Sequence, residues 1–165
     1  MRTIHRLMVA ASLVLAGLGS LSTAAAAADR VNVSAGLTEA GAPLAIHGYD
    51  PVAFFTQGKP LVGKMGITTV YQGAAFRFAS EANKKVFEAS PERYAPQYGG
   101  YCAFGAAKGA KYDGDPRVFA IVGGKLYFNL SPDIQKKWNE DVPGYIKKAD
   151  AAWPKIVDKA PGELK

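Results

Sequence analysis

Between Pro43 and Pro154 the spacing of apolar and polar residues changes several times, and each change marks an expected element. Thr68 to Ser80 has the two-residue alternation of a hairpin. Thr69-Val70-Tyr71 is β-prone and Gln72-Gly73 supplies the turn; Phe76 and Phe78 alternate with Arg77 and Ala79, which puts both rings on one face of a strand. Ser80 stands where a helix cap belongs, before a helix predicted over Glu81 to Ala89 with Ala82, Val86 and Phe87 toward its apolar side. Ser90-Pro91 opens a shorter helix, and Tyr94 and Tyr98, four residues apart, are expected to share a face. Gly99-Gly100 breaks that element. Tyr101 to Lys108 reads as a short helix ended by Gly109, and Asp113 to Pro116 as a turn. Val118 to Val122, Gly123-Gly124 and Lys125 to Asn129 form a second hairpin. Ser131-Pro132 opens a helix with Ile134, Trp138 and Val142 as its buried stripe. From Pro143 a last helix turns Tyr145, Ile146, Ala149 and Trp153 inward and ends by Pro154. This order predicts an α+β fold, a small antiparallel sheet of hairpins packed with several short helices, in one domain without an internal repeat.

The two ends depart from this pattern. Residues 1–28 combine Arg2 and Arg6, an apolar run from Leu7 to Leu21 and a small-residue stretch up to Ala28, the pattern of a cleaved Sec signal peptide. Residues 29–42 are small and polar and are expected to form a flexible arm with a short strand at Val31–Val33. Residues 43–157 form the domain, and residues 158–165 a frayed tail. The expected location is therefore periplasmic or secreted, with no stable membrane anchor after cleavage. Losing Arg2 and Arg6 leaves 18 Lys and Arg against 14 Asp and Glu, a mild excess of four positive charges. Without an arginine cluster or a run of like charges, nucleic acid is not an expected partner.

One cysteine excludes an internal disulfide framework and any site built from several thiolates of this chain. Cys102 follows Gly99-Gly100-Tyr101, where two glycines allow close backbone approach and a following helix start would favour the thiolate. A buried, inert thiol is the competing reading. His47 is the one histidine outside the leader. With Cys102 it would make a soft nitrogen–sulfur pair suited to copper and, less well, to zinc. The same two residues could act as thiolate and base in a thiol enzyme or redox sensor. The aromatic stretch from Tyr98 to Phe104 could instead serve a small ligand or another exported protein. No G-x-S-x-G, H-E-x-x-H or phosphate-loop motif occurs.

Several ordered motifs carry a family resemblance. Tyr49-Asp50-Pro51-Val52-Ala53-Phe54-Phe55, Tyr71 to Ser80, and Phe87 to Cys102 resemble the exported, single-domain branch of the YHS-domain family. Leu126-Tyr127-Phe128-Asn129-Leu130-Ser131 fits its tyrosine-to-serine motif, with Asn129 where histidine stands in some members. The resemblance runs from His47 to Trp153 and implies a metal-binding or metal-handling module; with the Cys102–His47 pair, the leading expectation is a non-enzymatic one with copper favoured. Metal-linked members carry a cysteine after Asp-Pro-Val and more in the strand-to-helix segment; this chain has Ala53, Ala79 and Asn83 there. The ligand set that remains is Cys102, His47 and Asp50, with Tyr49, Gly99, Gly100 and Tyr101 shaping the site.

Overall fold

The computed structural model describes residues 30–164; the expected leader lies outside them. The fold is α+β. Helix α1 (Ala53–Gln57) precedes a hairpin of β1 (Lys64–Tyr71) and β2 (Ala74–Phe78), then α2 (Glu81–Ala89) and the single turn α3 (Pro91–Tyr94). The short α4 (Ala103–Ala106) precedes a second hairpin, β3 (Asp115–Val122) and β4 (Lys125–Asn129), followed by α5 (Pro132–Asn139) and α6 (Val142–Ile156). The hairpins form two separate two-stranded antiparallel sheets, where the sequence suggested one sheet of hairpins. No helix among the described residues is long and apolar enough to cross a membrane.

The expectation of no internal repeat is wrong. Lys64 pairs with Phe78 and Asp115 with Asn129; Tyr71 pairs with Ala74 and Val122 with Lys125. Every paired position in the second hairpin thus lies 51 residues after its counterpart in the first, and both registers slip at the same step, before Thr68 and before Phe119. The turns correspond as well. Gln72-Gly73 and Gly123-Gly124 all have positive φ, which suits the right-handed twist of the strands they join. Ser80 then caps α2 by accepting the Asn83 N–H, and Ser131 caps α5 by accepting the Ile134 N–H. Phe87 docks on Phe76 at 5.1 Å between ring centres, and Trp138 docks on Tyr127 at 5.8 Å. The repeat escapes a reading by residue identity because few identities survive. The backbone conformations and the buried aromatic positions persist.

Packing corrects several details. Phe87, not Val86, is the buried residue of α2, and Val86 is exposed. Tyr94 and Tyr98 do not share a face. The helix ends at Tyr94, after which Tyr94 packs on Phe55 and Tyr98 on Tyr127 and Trp153. Strand β3 begins at Asp115, inside the expected turn, and α6 runs through Pro154 to Ile156. Where a loose arm is expected, Val31 is buried in the core, Asn32 N–H donates to Gly99 O, and Val33 bridges Ala45. Near the other end, Lys111 Nζ donates to the carbonyls of Val157 and Lys159, and Arg30 pairs with Asp158 at 2.6 Å.

Two apolar clusters follow from the repeat. Phe54, Phe76, Phe78, Phe87, Leu126 and Phe128 centre the first. Tyr98, Ala103, Ala106, Tyr127, Trp138 and Ala149 centre the second. Each fully buried aromatic side chain contributes roughly 2–3 kcal/mol on transfer from water, so the hairpin–helix contacts hold the frame on which the polar centres sit.

Candidate functional site

Asp50 is fully buried at the start of α1. Its Oδ1 accepts the N–H groups of Val52 (2.9 Å) and Ala53 (3.2 Å). Its Oδ2 accepts the Ala79 N–H (2.8 Å) and the Asn83 side-chain amide (2.7 Å). Four donors therefore compensate the cost of burying this carboxylate. Ala53, Ala79 and Asn83 are the positions where the resemblance places thiolates, and they do converge in space. Here they offer hydrogens rather than lone pairs. A metal ion needs lone pairs, so this centre does not fit one.

Cys102 is the counterpart of Asp50 in the second unit, 52 residues on, one more than the hairpin spacing. It caps α4 as Asp50 precedes α1, and its Sγ accepts the Gly105 N–H at 3.5 Å. The amides of Gly105, Leu130 and Phe104 favour the thiolate, and Leu130 lies 51 residues after Ala79. Burial outweighs them and raises the thiol pKa above its ordinary value. The thiol donates to Asn129 Oδ1 at 3.5 Å, which also accepts the Phe104 N–H at 3.0 Å. Asn129 Nδ2 donates on to Gln135. Cys102 is therefore a buried, bonded thiol, and the position occupied by histidine in some YHS proteins touches it as an amide.

His47 lies elsewhere. It sits in a turn where Ile46, His47 and Gly48 all have positive φ, a rare conformation for a β-branched residue such as Ile46. Hydrogen bonds from Ile46 N–H to Asn32 O and from Tyr49 N–H to Ile46 O hold the turn. The exposed ring places Nε2 2.8 Å from Asp113 Oδ1, which also accepts the Asn32 side-chain amide at 2.6 Å. His47 shares an open cleft of about 310 Å³ with Tyr49, Asp115 and Arg117, where Arg117 is already bound to Asp115 by its Nε and terminal nitrogen.

The structure therefore does not bring His47, Cys102 and Asp50 to one point. Two are buried and saturated, and the third is exposed and paired to Asp113. Among the described residues no three His, Cys, Asp or Glu side chains form a group able to hold a metal ion. The expected copper or zinc set does not fit this geometry.

The remaining site-shaping residues lead to a different place. Tyr98 and Gly99 adopt positive φ in the turn equivalent to that of His47. Gly99 is required there because a Cβ would strike the Arg30 carbonyl. Behind it, Tyr101 is buried, its hydroxyl 3.4 Å from Val31 O, and Gly100 takes φ +86° against Ile46 and Pro96. Tyr98 and Gly99 line a groove of about 410 Å³ with Tyr71, Phe76 and Trp153 as aromatic walls and Glu92, Gln97 and Asp150 as polar groups. The Tyr98 hydroxyl donates to Asp150 Oδ1 at 2.9 Å, and burial and this carboxylate push its pKa upward. The groove thus holds neutral tyrosine and a fixed carboxylate beside aromatic rings. Sequence reasoning missed Glu92, Asp113 and Asp150. The signal for Asp150 was its spacing, four residues after Ile146 and three before Trp153 on the inward side of α6.

Residues 52–98 match the family model of the YHS domain. No curated protein and no solved structure gives a match.

Proposed function

We propose that this chain is an exported, non-enzymatic YHS-domain module that binds a small organic ligand in the groove between Tyr71, Tyr98 and Trp153. The groove itself carries the reading: about 410 Å³, with aromatic walls and a few polar groups, has the size and lining of a small-molecule site. The buried state of Cys102 supports the same reading, because a protonated thiol bonded to Asn129 serves neither a redox enzyme nor a metal centre. Export rests on the basic start and apolar run ahead of residue 29. Metal handling, to which the family resemblance points, has one accessible donor among the expected three, His47, so a bound ion would need ligands from another molecule.

The test is a thermal-shift screen of metabolite-sized compounds against the protein and the variant Ala95→Phe, which fills the groove from its wall. Compounds that stabilise the protein and lose their effect in Ala95→Phe are the expected result. Because the new ring could disturb the fold, Gln97→Ala, a milder change in the same lining, should weaken the same compounds. Compounds that stabilise all three proteins equally, or the absence of any, would contradict the reading.

A further inference from the structure

The charge around this groove narrows the ligand to one chemical class, an inference that rests on the groove being the binding site. Glu92 and Asp150 line it as carboxylates. Asp150 spends Oδ1 on the Tyr98 hydroxyl and leaves Oδ2 for another donor. Arg30, the one cationic lining side chain among the described residues, pairs with Asp158 at 2.6 Å. Lys111 lies on the other side of the same aromatic cluster. Its ammonium lies 5.2 Å from the Trp153 ring and 5.3 Å from the Tyr101 ring, held by two backbone carbonyls. That contact shows an ammonium already stabilised on this aromatic cluster. Aromatic faces attract cations through their quadrupoles, more strongly where water is excluded.

We propose that the groove takes a small organic ammonium, its charge between Glu92 and Asp150 and its alkyl groups against Tyr71 and Trp153. The chain has two tryptophans, Trp138 in the core and Trp153 in the groove lining, so intrinsic fluorescence reports the site. The experiment titrates choline, its neutral isostere 3,3-dimethylbutan-1-ol and the anion 3,3-dimethylbutanoate into the protein, with calorimetry alongside. Saturable choline binding is expected, with the neutral compound and the anion weaker by about tenfold or more, the scale of one desolvated cation–π contact. Glu92→Gln, an exposed change on α3, should cost choline affinity and leave the isostere unaffected; Asp150→Asn should do the same more strongly. Trp153→Phe should remove the optical signal while calorimetric binding remains. Equal or better binding of the isostere or the anion would overturn the ammonium assignment and leave the groove a binding site. Silence of all three probes together with an empty thermal-shift screen would overturn both.

Discussion

The first and second hairpin–helix units share strand register, bulge, turn position and capping serine, yet they place different acceptors at the same point. Asp50 in the first meets four donors, two of them the amides at the start of its own helix. Cys102 in the second meets amides from equivalent positions. A carboxylate satisfies such donors fully, whereas a thiol is a weak acceptor and the site adds Asn129 to hold it. The same backbone cradle therefore holds a carboxyl group in one unit and a thiol in the other. The cradle is a structural device of the repeat, and chemistry specific to this chain has to be sought outside it.

The strongest way to break that comparison is to empty both cradles. Asp50→Ala strands three amides and the Asn83 side chain in the core, and should cost about 4 kcal/mol of stability in urea unfolding. Cys102→Ala removes a weaker acceptor and should cost about 1.5 kcal/mol. Equal costs would mean that the two centres are not different in kind. The paired turns offer a second contrast. Gly99→Ala drives a Cβ into the Arg30 carbonyl at φ +62°, for a loss of about 3 kcal/mol; Gly48→Ala, at φ +77°, meets the flexible end of Leu44 and should lose about 1 kcal/mol.

Smaller effects separate the units by pH. Burial keeps the Cys102 thiol protonated in the folded chain beyond the ordinary value near 8.5. Its contribution is full below about pH 8.5 and is lost as pH rises toward the folded thiol's higher pKa, because the unfolded chain releases the proton first. Cys102→Ser should flatten that alkaline fall in denaturation midpoints relative to the parent protein. The smallest effect belongs to Asp115. The Arg117 hydrogen bonds lower its pKa, so its contribution is present above about pH 3.9 and fades as pH falls through the folded value. Asp115→Asn should make the acid limb slightly shallower.

The hairpins, the serine caps and the helix over Glu81 to Ala89 were legible because alternation, Gly-containing turns and Ser-Pro pairs act locally. Which side of α2 is buried was not legible, because Phe87 is selected by the rings of Phe76 and Phe78 across the hairpin. The repeat stayed hidden because it is kept in register and positive φ, not in residue identity: Ile46 answers to Tyr98, His47 to Gly99, and Asp50 to Cys102. The separation of His47, Cys102 and Asp50 in space was beyond reach of the chain order. Asp113, which orients His47, and Asp150, which orients Tyr98, look like ordinary surface acids until the turns bring the rings to them.

The most direct measurement is a Cu(I) titration of the reduced protein, Cys102→Ser and His47→Ala against a competing chelator. The geometry predicts no one-to-one site that needs both residues, with any weak copper binding retained in Cys102→Ser. Tight one-to-one binding abolished by each substitution would contradict it, and would require Cys102 to leave its cradle and meet His47.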